Sequence, residues 1–587
     1  MASSKQAKQL RSACDLRKWQ YIEPSDDDVR KYSKSLKIGS TVAELLARLD
    51  FGSLEEANRF LHPKLGEIAN PFEIPNLETA AKRISQAIDD GQKIVICGDY
   101  DVDGTTSTAL LVAIIREFEN YPHFIVPLRL EEGYGLSIKS ADRAMEHTGG
   151  SDLFIALDCG TNSIEEAKHI IDRGSDLIII DHHQAKSEMT EDVILVNPHV
   201  SNSGHTGTMD LCTVGLVFKL AHALLKVRRE LDDKRAFKIK LRDYLDFVAM
   251  GTVTDLVPLR GENRTFARIG LQVLAKTKRQ GLKSLMKVSG VEAAKGVQPV
   301  DISFRIGPRI NASGRLADAA LAVELMLSKD KQYAMETSLQ LDCFNRERQD
   351  IERVMTEEAI ELIEKNQRDQ AGLLVFGEEW HPGVVGIVAS RVSKSYNRPS
   401  IVLGREGNLA KGSGRSVNGI NLVSALSGFA DELESWGGHP MAVGISLSVD
   451  KVKAFEDYFD KAIRKLMDAD AEEIPLEIST WVKLDDIDSK LMSEISLLEP
   501  FGMNNPEPIY ASKGIVLKKK LQVFKDLHFR FSLRSKNGKN LQGVAWKMAN
   551  NQPPLNTAID IAYRICWNVY AGRKTIQLEL VDWRLSR

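Results

Sequence analysis

The chain of 587 residues is poor in cysteine and has no long hydrophobic run. Its six cysteines stand far apart, and no two form the Cys-x-x-Cys pair of a zinc finger, which favours a reducing compartment over a disulfide framework. No apolar run approaches the length of a membrane-spanning helix, and the first residues lack the apolar core of a secretory signal. We therefore expect a cytoplasmic protein with no membrane partner.

An excess of charge of one sign is missing as well. The 78 basic and 81 acidic side chains give a net charge of −3, so a polyanion such as nucleic acid would have to meet a local basic patch. The sequence also lacks the Gly-Lys-Ser/Thr ending of a P-loop and the Gly-x-Gly-x-x-Gly fingerprint of a dinucleotide site. These absences exclude two common classes of nucleotide-dependent enzyme.

The most informative stretch runs from Lys93 to Glu119. A short apolar run is followed by a loop with three acids at alternate positions, and then by a helical pattern. Its string DYDVDG resembles a calcium-binding EF-hand loop, but position twelve is Leu110 instead of glutamate, and a strand precedes it where a helix should. Because such close acids repel one another unless a cation neutralises them, the sequence predicts a metal site at a strand-to-helix turn.

The hydrophobic pattern divides the chain into five parts. Apolar runs alternate with helical patterns in two regions, which predicts sheets covered by helices. The last region is rich in alternating strands with an Asn537-Gly538 hairpin turn, which fits a small β-barrel. We therefore predict an α/β fold class with an N-terminal helical segment (1–78), a first α/β domain (79–316), a connecting long helix (317–366), a second α/β domain (367–468) and a C-terminal barrel (472–587).

Four polar loops in the first α/β domain predict a metal centre. Any one of their acids alone would more often be a helix cap or an ion-pair partner. Four loops at similar topological places are a stronger signal, because ligands of open α/β sheets bind beyond the carboxyl ends of the strands. Carboxylates together with imidazole favour two Mn²⁺ or Mg²⁺ ions that share one carboxylate. The loops contain Asp99, Asp101 and Asp103, then Asp158, then Asp181, His182 and His183, and finally Asp255.

Nine motifs in one order resemble a known family. GDYDVDG, ALDCGT, DHHQ and GTVTDLVPL resemble the metal motifs of the DHH phosphoesterase superfamily. EGYGL, RIGPRINASGR, GSGRS, GGHPMAVG and PFGMNNPEP narrow the resemblance to the bacterial RecJ family of single-stranded-DNA-specific exonucleases. The resemblance implies a DHH catalytic domain and a DHH-associated domain joined by the long helix, followed by an OB-like nucleic-acid-binding barrel.

The resemblance also implies a role for individual residues. Asp101, Asp103, Asp158, His182 and Asp255 would be the metal ligands, with Asp158 bridging the two ions and His183 facing the scissile phosphate. Asp99 and Asp181 would support them from behind, and Cys97 stands where many members have a histidine ligand. Asn311 and Arg315 would hold the DNA strand, with Arg309 a weaker candidate. Arg129, Ser413 and Arg415 would bind the terminal 5′-phosphate, and Tyr134 would stack on a base or wedge against it. His439 would either contact a backbone phosphate or hold the glycine loop of the second α/β domain.

The implied activity is hydrolysis of single-stranded DNA from its 5′ end to mononucleotides, in DNA repair and recombination. A basic segment of the predicted barrel, which contains Lys518, Lys519 and Lys520 with interleaved aromatic residues, is typical of single-strand binding. A single-strand-binding protein and a helicase are the implied protein partners, and the expected state is a monomer. Two rival functions are disfavoured, because members of the first class generally lack the PFGMNNPEP barrel and members of the second have lost metal ligands that are present here. One is a DHH enzyme acting on very short oligonucleotides or cyclic dinucleotides, and the other is an inactive strand-binding scaffold like the eukaryotic helicase subunit related to RecJ.

Overall fold

A computed structural model describes residues 18–129, 131–133, 135–200, 208–417, 419–467, 475–570 and 573–586. The chain forms two compact units. One contains Met1–Ile68, Pro258–Arg268 and Glu473–Arg587, and the other contains Ala69–Val257 and Ile269–Glu472. No helix in these described ranges is long and apolar enough to cross a membrane.

The described part of the first unit begins with a short strand and three helices. These are β1 (Trp19–Gln20), α1 (Asp26–Leu36), α2 (Ser40–Ala47) and α3 (Leu54–Leu61). Apolar side chains of these helices, including Leu46 and Phe60, share one core with C-terminal residues such as Leu491 and Trp583. The N-terminal helices therefore do not stand as a separate part, as the division at residue 78 supposed, because their apolar faces are buried against the C-terminal region.

The second unit contains the predicted parallel sheet. Its strands are β2 (Ile94–Gly98), β3 (His123–Ile125), β4 (Leu153–Leu157), β5 (Asp176–Ile180) and β6 (Val193–Val196), and their order is β3-β2-β4-β5-β6 with every pairing parallel. The helices are α4 (Leu77–Asp89), α5 (Val102–Arg116), α6 (Ile138–Thr148), α7 (Ile164–Asp172) and α8 (Thr213–Glu230). Strands β2 and β4 are buried along their whole length, as parallel strands under helices are. Because β4 lies between β2 and β5, the loops that follow these three strands meet at one edge.

A run of helices connects this sheet to the next. They are α9 (Lys234–Lys238), α10 (Leu245–Thr254), α11 (Gly261–Ala275), α12 (Gln280–Val288), α13 (Gly307–Leu316), α14 (Ala320–Leu327) and α15 (Lys331–Asn366), and a helical turn (Pro299–Asp301) and a π-helix (Ile302–Ile306) precede α13. The long helix begins at Lys331 and not at 317, because the Asp330 carboxylate accepts the backbone N–H groups of Gln332 and Tyr333 at 2.7 and 2.9 Å.

The second α/β domain is built on a mixed five-stranded sheet. Its strands are β7 (Leu373–Gly377), β8 (Ser400–Glu406), β9 (Leu409–Arg415), β10 (Ser435–His439) and β11 (Ala442–Ser448), in the order β10-β11-β9-β8-β7. Only β7 and β8 pair in parallel, and the other pairs are antiparallel. Helices α16 (Val385–Tyr396), α17 (Leu422–Leu426) and α18 (Val452–Met467) complete the domain.

The C-terminal strands belong to the first unit. They are β12 (Leu476–Glu477), β13 (Thr480–Trp481), β14 (Tyr510–Val516), β15 (Gln522–Phe524), β16 (His528–Arg534), β17 (Asn540–Ala545), β18 (Ala558–Tyr570) and β19 (Arg573–Leu585), with helix α19 (Ser489–Leu498) between β13 and β14. Strand β12 pairs with β1, and the others form a seven-stranded sheet. Its order is β13-β14-β18-β19-β17-β16-β15, so the hydrogen bonds of the described residues do not close the predicted barrel. The Asn537-Gly538 turn does join the antiparallel strands β16 and β17.

Candidate metal centre and nucleic-acid interface

The loop after β2 gathers carboxylates by packing tightly on the start of α5. Asp101 caps this helix, since its Oδ1 accepts the N–H groups of Asp103 and Gly104 at 2.9 and 3.1 Å. A Cβ atom at Gly98 would lie 1.9 Å from the Thr108 hydroxyl, and one at Gly104 would lie 2.4 Å from the backbone oxygen of Asp99. Only glycine fits at these two positions, so strand, loop and helix approach one another closely because of them.

The other acids reach the same edge from neighbouring elements. Asp158 follows β4 and has a φ of 65°, a left-handed conformation that costs a residue with a side chain about 1–3 kcal/mol. Asp181 follows β5, and Asp255 follows the last residue of α10. The fold maintains this strained backbone at Asp158, and such strain is concentrated at functional sites.

Three groups of side chains offer ligand atoms within 4.8 Å of one another. Asp158 and His182 each belong to two of the groups, so the groups form one connected centre. Asp99 lies in this centre, although the resemblance implied that it supports the ligands from behind. The groups are Asp99, Asp101 and Asp158, then Asp103, His182 and Asp255, and finally Asp158, His182 and His183.

The charges and hydrogen bonds of this centre suit cations. His182 Nε2 lies 3.6 Å from Asp158 Oδ1 and 3.4 Å from Asp255 Oδ2. Neither contact is a hydrogen bond: Nε2 and Asp255 Oδ2, like Asp99 Oδ1, are buried without a partner in the described part of the chain. Burial, reinforced by the neighbouring acids, raises the pKa of Asp99 to about 7 and of Asp255 to about 8, while burial lowers the pKa of His182 to about 4. Clustered acids with unpartnered oxygens and a neutral imidazole therefore fit a divalent ion that would neutralise their repulsion.

Helix α8 supports the centre from behind. In the first turn of α8, the backbone N–H groups of Thr213 and Val214 donate to the two oxygens of Asp103 at 2.8 and 2.9 Å. The Thr213 hydroxyl donates to Asp158 Oδ1 at 2.8 Å. A Cβ atom at Gly251 on α10 would lie 2.6 Å from Asp103 Oδ1. Sequence reasoning missed Thr213 altogether, and the only sign of Gly251 was its place in the GTVTDLVPL motif.

Asp181 orients His183. Its Oδ1 accepts the ring Nδ1–H of His183 at 2.7 Å and the backbone N–H of His182 at 2.8 Å, and its Oδ2 accepts the N–H of Thr161 at 3.1 Å. The hydrogen bond to Asp181 raises the pKa of His183 to about 9. With Nδ1 engaged, a side chain that is 53% exposed presents its other ring nitrogen. Cys97 is buried as a free thiol that forms a hydrogen bond with the thiol of Cys159, and it belongs to none of the three groups in the described residues.

Cationic side chains lie next to this centre. The Arg129 guanidinium is 5.1 Å from the centre of the Tyr100 ring, and Tyr100 stands between Asp99 and Asp101 in the loop after β2. Arg315, on α13, donates to the backbone oxygen of Gly383 at 2.7 Å. Arg309 instead forms an ion pair of 2.7 Å with Asp342 on the long helix, so an acid of the protein already neutralises its charge.

Ser413 and Arg415, on β9, lie beside the start of α16. A Cβ atom at Gly386 in the first turn of this helix would be 3.2 Å from the Ser413 hydroxyl and 3.4 Å from Arg415 Nη2. The free N–H groups of a helix start, a hydroxyl and a guanidinium are the usual ligands of a phosphate. The exposed His439 pairs with Ala442, which pairs with Arg415, so His439 lies two strands, or about 10 Å, from Arg415.

Two further predicted residues have different outcomes. Asn311 and Arg315 are four residues apart on α13 and therefore share one face of that helix. The side-chain oxygen of Asn311 is buried without a hydrogen-bond partner among the described residues, which leaves it available to a ligand. Tyr134 lies outside the described residues.

The chain matches three family models. The N-terminal domain of the DHH family matches residues 93–252, the DHHA1 domain matches residues 369–465, and the RecJ OB domain matches residues 478–582. The three matches confirm the predicted fold class, including an OB domain at the C-terminus.

Relatives and a solved structure agree with these models. The single-stranded-DNA-specific exonuclease RecJ of Bacillus subtilis (strain 168) is 36% identical over 97% of this chain and 71% of its own length. RecJ of Escherichia coli (strain K12) is 31% identical over 86% of this chain and 90% of its own length. The crystal structure of RecJ from Thermus thermophilus in complex with Mn²⁺ superposes with a TM-score of 0.81 and 26% identity, covering 97% of this chain and 80% of that one. The chain therefore belongs to the RecJ family of single-stranded-DNA-specific exonucleases.

Proposed function

We propose that this protein is a metal-dependent phosphodiesterase that hydrolyses single-stranded DNA from its 5′ end to 5′-mononucleotides. The observation that carries the proposal is the connected centre around Asp158, in which Asp99 Oδ1, Asp255 Oδ2 and His182 Nε2 are buried without a hydrogen-bond partner among the described residues. Relatives named as single-stranded-DNA-specific exonucleases, and a relative solved with Mn²⁺, support the substrate class and the metal.

We assign the metal ligands from the three groups. Asp99, Asp101 and Asp158 would hold one Mn²⁺ or Mg²⁺ ion, and Asp158 would share a second ion with Asp103, His182 and Asp255. This assignment adds Asp99 to the ligands predicted from the sequence. When bound, two such ions polarise a phosphoryl group and lower the pKa of a water molecule.

The remaining residues would bind and orient the DNA. His183, fixed by Asp181, would contact an oxygen of the scissile phosphate. Asn311 and Arg315 would hold the strand next to the centre. A charged guanidinium binds phosphate oxygens through two hydrogen bonds and stays protonated at all working pH values, which suits both Arg129 and Arg415.

The direction of degradation would be set by a pocket for the terminal 5′-phosphate. We place this pocket at Arg129, Ser413 and Arg415, near the start of α16. His439 lies in register with Arg415 across the second sheet and would contact a phosphate further along the DNA strand. Tyr134 would stack on a base. This part of the proposal rests on the family resemblance and on the chemistry of the side chains.

The proposal is tested by digesting end-labelled single and double strands in the presence of each divalent metal. We expect Mn²⁺- or Mg²⁺-dependent release of mononucleotides from the 5′ end of single strands only. Asp158→Ala should abolish cleavage while the protein still binds single-stranded DNA. Asp172→Ala, which removes an exposed acid at the end of α7, is the matched control and should keep full activity. Cleavage by Asp158→Ala at the wild-type rate would contradict the two-metal centre.

We further propose that the protein acts as a monomer in the cytoplasm, in DNA repair and recombination, with a single-strand-binding protein and a helicase as partners. Membership of the family supports these assignments. Light scattering of the purified chain measures the monomeric state, and a dimer mass at micromolar concentration would contradict it.

A further inference from the structure

A cavity lies at the far ends of α5 and α10, two helices whose near ends adjoin acids of the metal centre. It has a volume of about 520 Å³. Helix α5 begins beside Asp101 and is followed at its other end by Glu117, and α10 ends beside Asp255 and is preceded by Tyr244. The Tyr244 hydroxyl donates to Glu117 Oε1 at 3.3 Å, which joins these two far ends. Because α5 has 15 residues and is about 22 Å long, the cavity is separate from the metal centre.

The wall of this cavity is strongly basic. Six cationic side chains and only three carboxylates line it, in a chain whose net charge is −3. None of the five lysines forms an ion pair with a carboxylate in the described ranges, although surface lysines such as Lys82 and Lys295 do so elsewhere. We call the site the basic cavity; its cations are Lys238, Lys240, Lys276, Lys278, Lys329 and Arg279, and its acids are Glu117, Asp243 and Asp246.

A buried ion pair holds the basic loop in place. Asp246 is 1% exposed and accepts the Thr277 hydroxyl at 2.7 Å and Arg279 Nε at 3.2 Å. The Arg279 guanidinium also stacks 4.3 Å from the centre of the Phe247 ring and 4.8 Å from that of Tyr244. These contacts fix the segment from residue 276 to residue 279 against α10, so that Lys276 and Lys278 reach the cavity from a rigid loop. Cations that are held together without paired acids repel one another, and a bound polyanion would relieve that repulsion.

One part of the remaining wall is apolar, beside the polar Thr277, Gln280 and Ser328. Ile239, Val273, Met326 and Leu327 line it beside Tyr244. Ligand cavities of this size class, about 300–1,000 Å³, hold small molecules through an apolar wall and a few polar groups. We propose that the basic cavity binds a nucleoside polyphosphate, with the phosphate chain on the lysines and the base against the apolar wall.

Calorimetry with the full chain in the absence of divalent metal tests the proposal. The probes are ATP, tripolyphosphate and adenosine, titrated at physiological ionic strength. We expect ATP to bind one site, and to bind more tightly than tripolyphosphate, because only ATP fills the apolar part. The double variant Lys276→Glu with Lys278→Glu should weaken ATP binding at least tenfold, since two attractive contacts become repulsive. Lys453→Glu, which reverses an exposed charge of α18, is the matched control and should bind ATP as the wild type does.

Three results would overturn the proposal. The first is the absence of ATP binding, including the case in which a single-stranded oligonucleotide binds to the lysines instead. The second is ATP binding of equal strength in the wild type and the double variant, which would place the nucleotide elsewhere. The third is equal affinity for ATP and tripolyphosphate, which would leave the apolar wall without a function and assign the cavity to free polyphosphate. Unchanged nuclease activity of the double variant on single-stranded DNA shows that the variant is folded.

Discussion

The hydroxyl of Thr213 offers a sharp test of how the metal centre is held together. It donates one hydrogen bond of 2.8 Å to Asp158, the acid that two of the three ligand groups share. Thr213→Val removes this hydrogen bond and keeps the shape of the side chain. The carboxylate then loses the contact that fixes its orientation, while its backbone stays in place.

The size of the effect follows from the bond that is lost. A hydrogen bond to a charged group contributes about 1.5–3 kcal/mol, and each 1.4 kcal/mol changes an equilibrium about tenfold. If the bond orients Asp158 for the metal, Thr213→Val should weaken metal binding roughly 10- to 150-fold. Removing a group that hydrogen-bonds a metal ligand typically costs about 10- to 100-fold in affinity or activity, which is the same range.

The assay is a Mn²⁺ titration of nuclease activity, together with direct measurement of Mn²⁺ binding by calorimetry. Thr213→Val should shift both half-saturation points upward, and saturating Mn²⁺ should restore most of the rate. Thr213→Ser is the matched control, because it keeps the hydroxyl and should remain within about threefold of the wild type by the same hydrogen-bond argument. Equal Mn²⁺ affinities of the valine and serine variants would refute the role of this hydrogen bond.

Three further predictions concern other parts of the molecule. Gly251→Ala places a Cβ atom 2.6 Å from Asp103 Oδ1 and should lower the free energy of unfolding by about 1–3 kcal/mol, together with the nuclease rate. Gly66→Ala, with no atom within 4 Å of its Cβ, is the control, and equal melting temperatures of the two variants would contradict the packing argument. Arg415→Ala should slow digestion of 5′-phosphorylated strands more than that of 5′-hydroxyl strands, and an equal loss on both would remove Arg415 from the phosphate pocket. Lys518→Glu with Lys519→Glu should weaken single-strand binding and reduce the slope of log affinity against log salt by about 1.4, whereas an unchanged slope would mean that these lysines do not contact DNA.

Local patterns in the sequence predict much of this fold. The features that these patterns failed to predict have identifiable physical causes. The alternation of apolar runs and helices predicted the parallel sheet, and glycines and acids after its strands marked the metal centre. Thr213 was missed because its partner Asp158 lies 55 residues away, and nothing near Thr213 signals that contact. The segment from Gly307 to Leu316 contains two glycines and a proline, a composition typical of a connection, yet it is helix α13. Its glycines do not end the helix; they allow it to pack closely against other segments of the chain.

Gly314 is the clearest example of such close packing. A Cβ atom at this position would lie 2.6 Å from the Tyr100 ring, so α13 packs directly on the loop that carries Asp99 and Asp101. The next residue, Arg315, donates to the oxygen of Gly383, just before α16. On α16, in turn, a Cβ atom at Gly386 would lie 3.2 Å from the Ser413 hydroxyl and 3.4 Å from Arg415 Nη2.

These contacts form a continuous path from the metal centre to the proposed phosphate pocket. Each step is a close approach that glycine permits or a hydrogen bond to the backbone, and neither tolerates a shift of an ångström without cost. The path therefore holds the two ends of the site at a set spacing. A fixed distance between the scissile phosphate and the bound 5′-phosphate is the condition for releasing one nucleotide at a time. In the proposed site that distance would depend on α13, a helix that its two glycines and its proline do not indicate from the sequence.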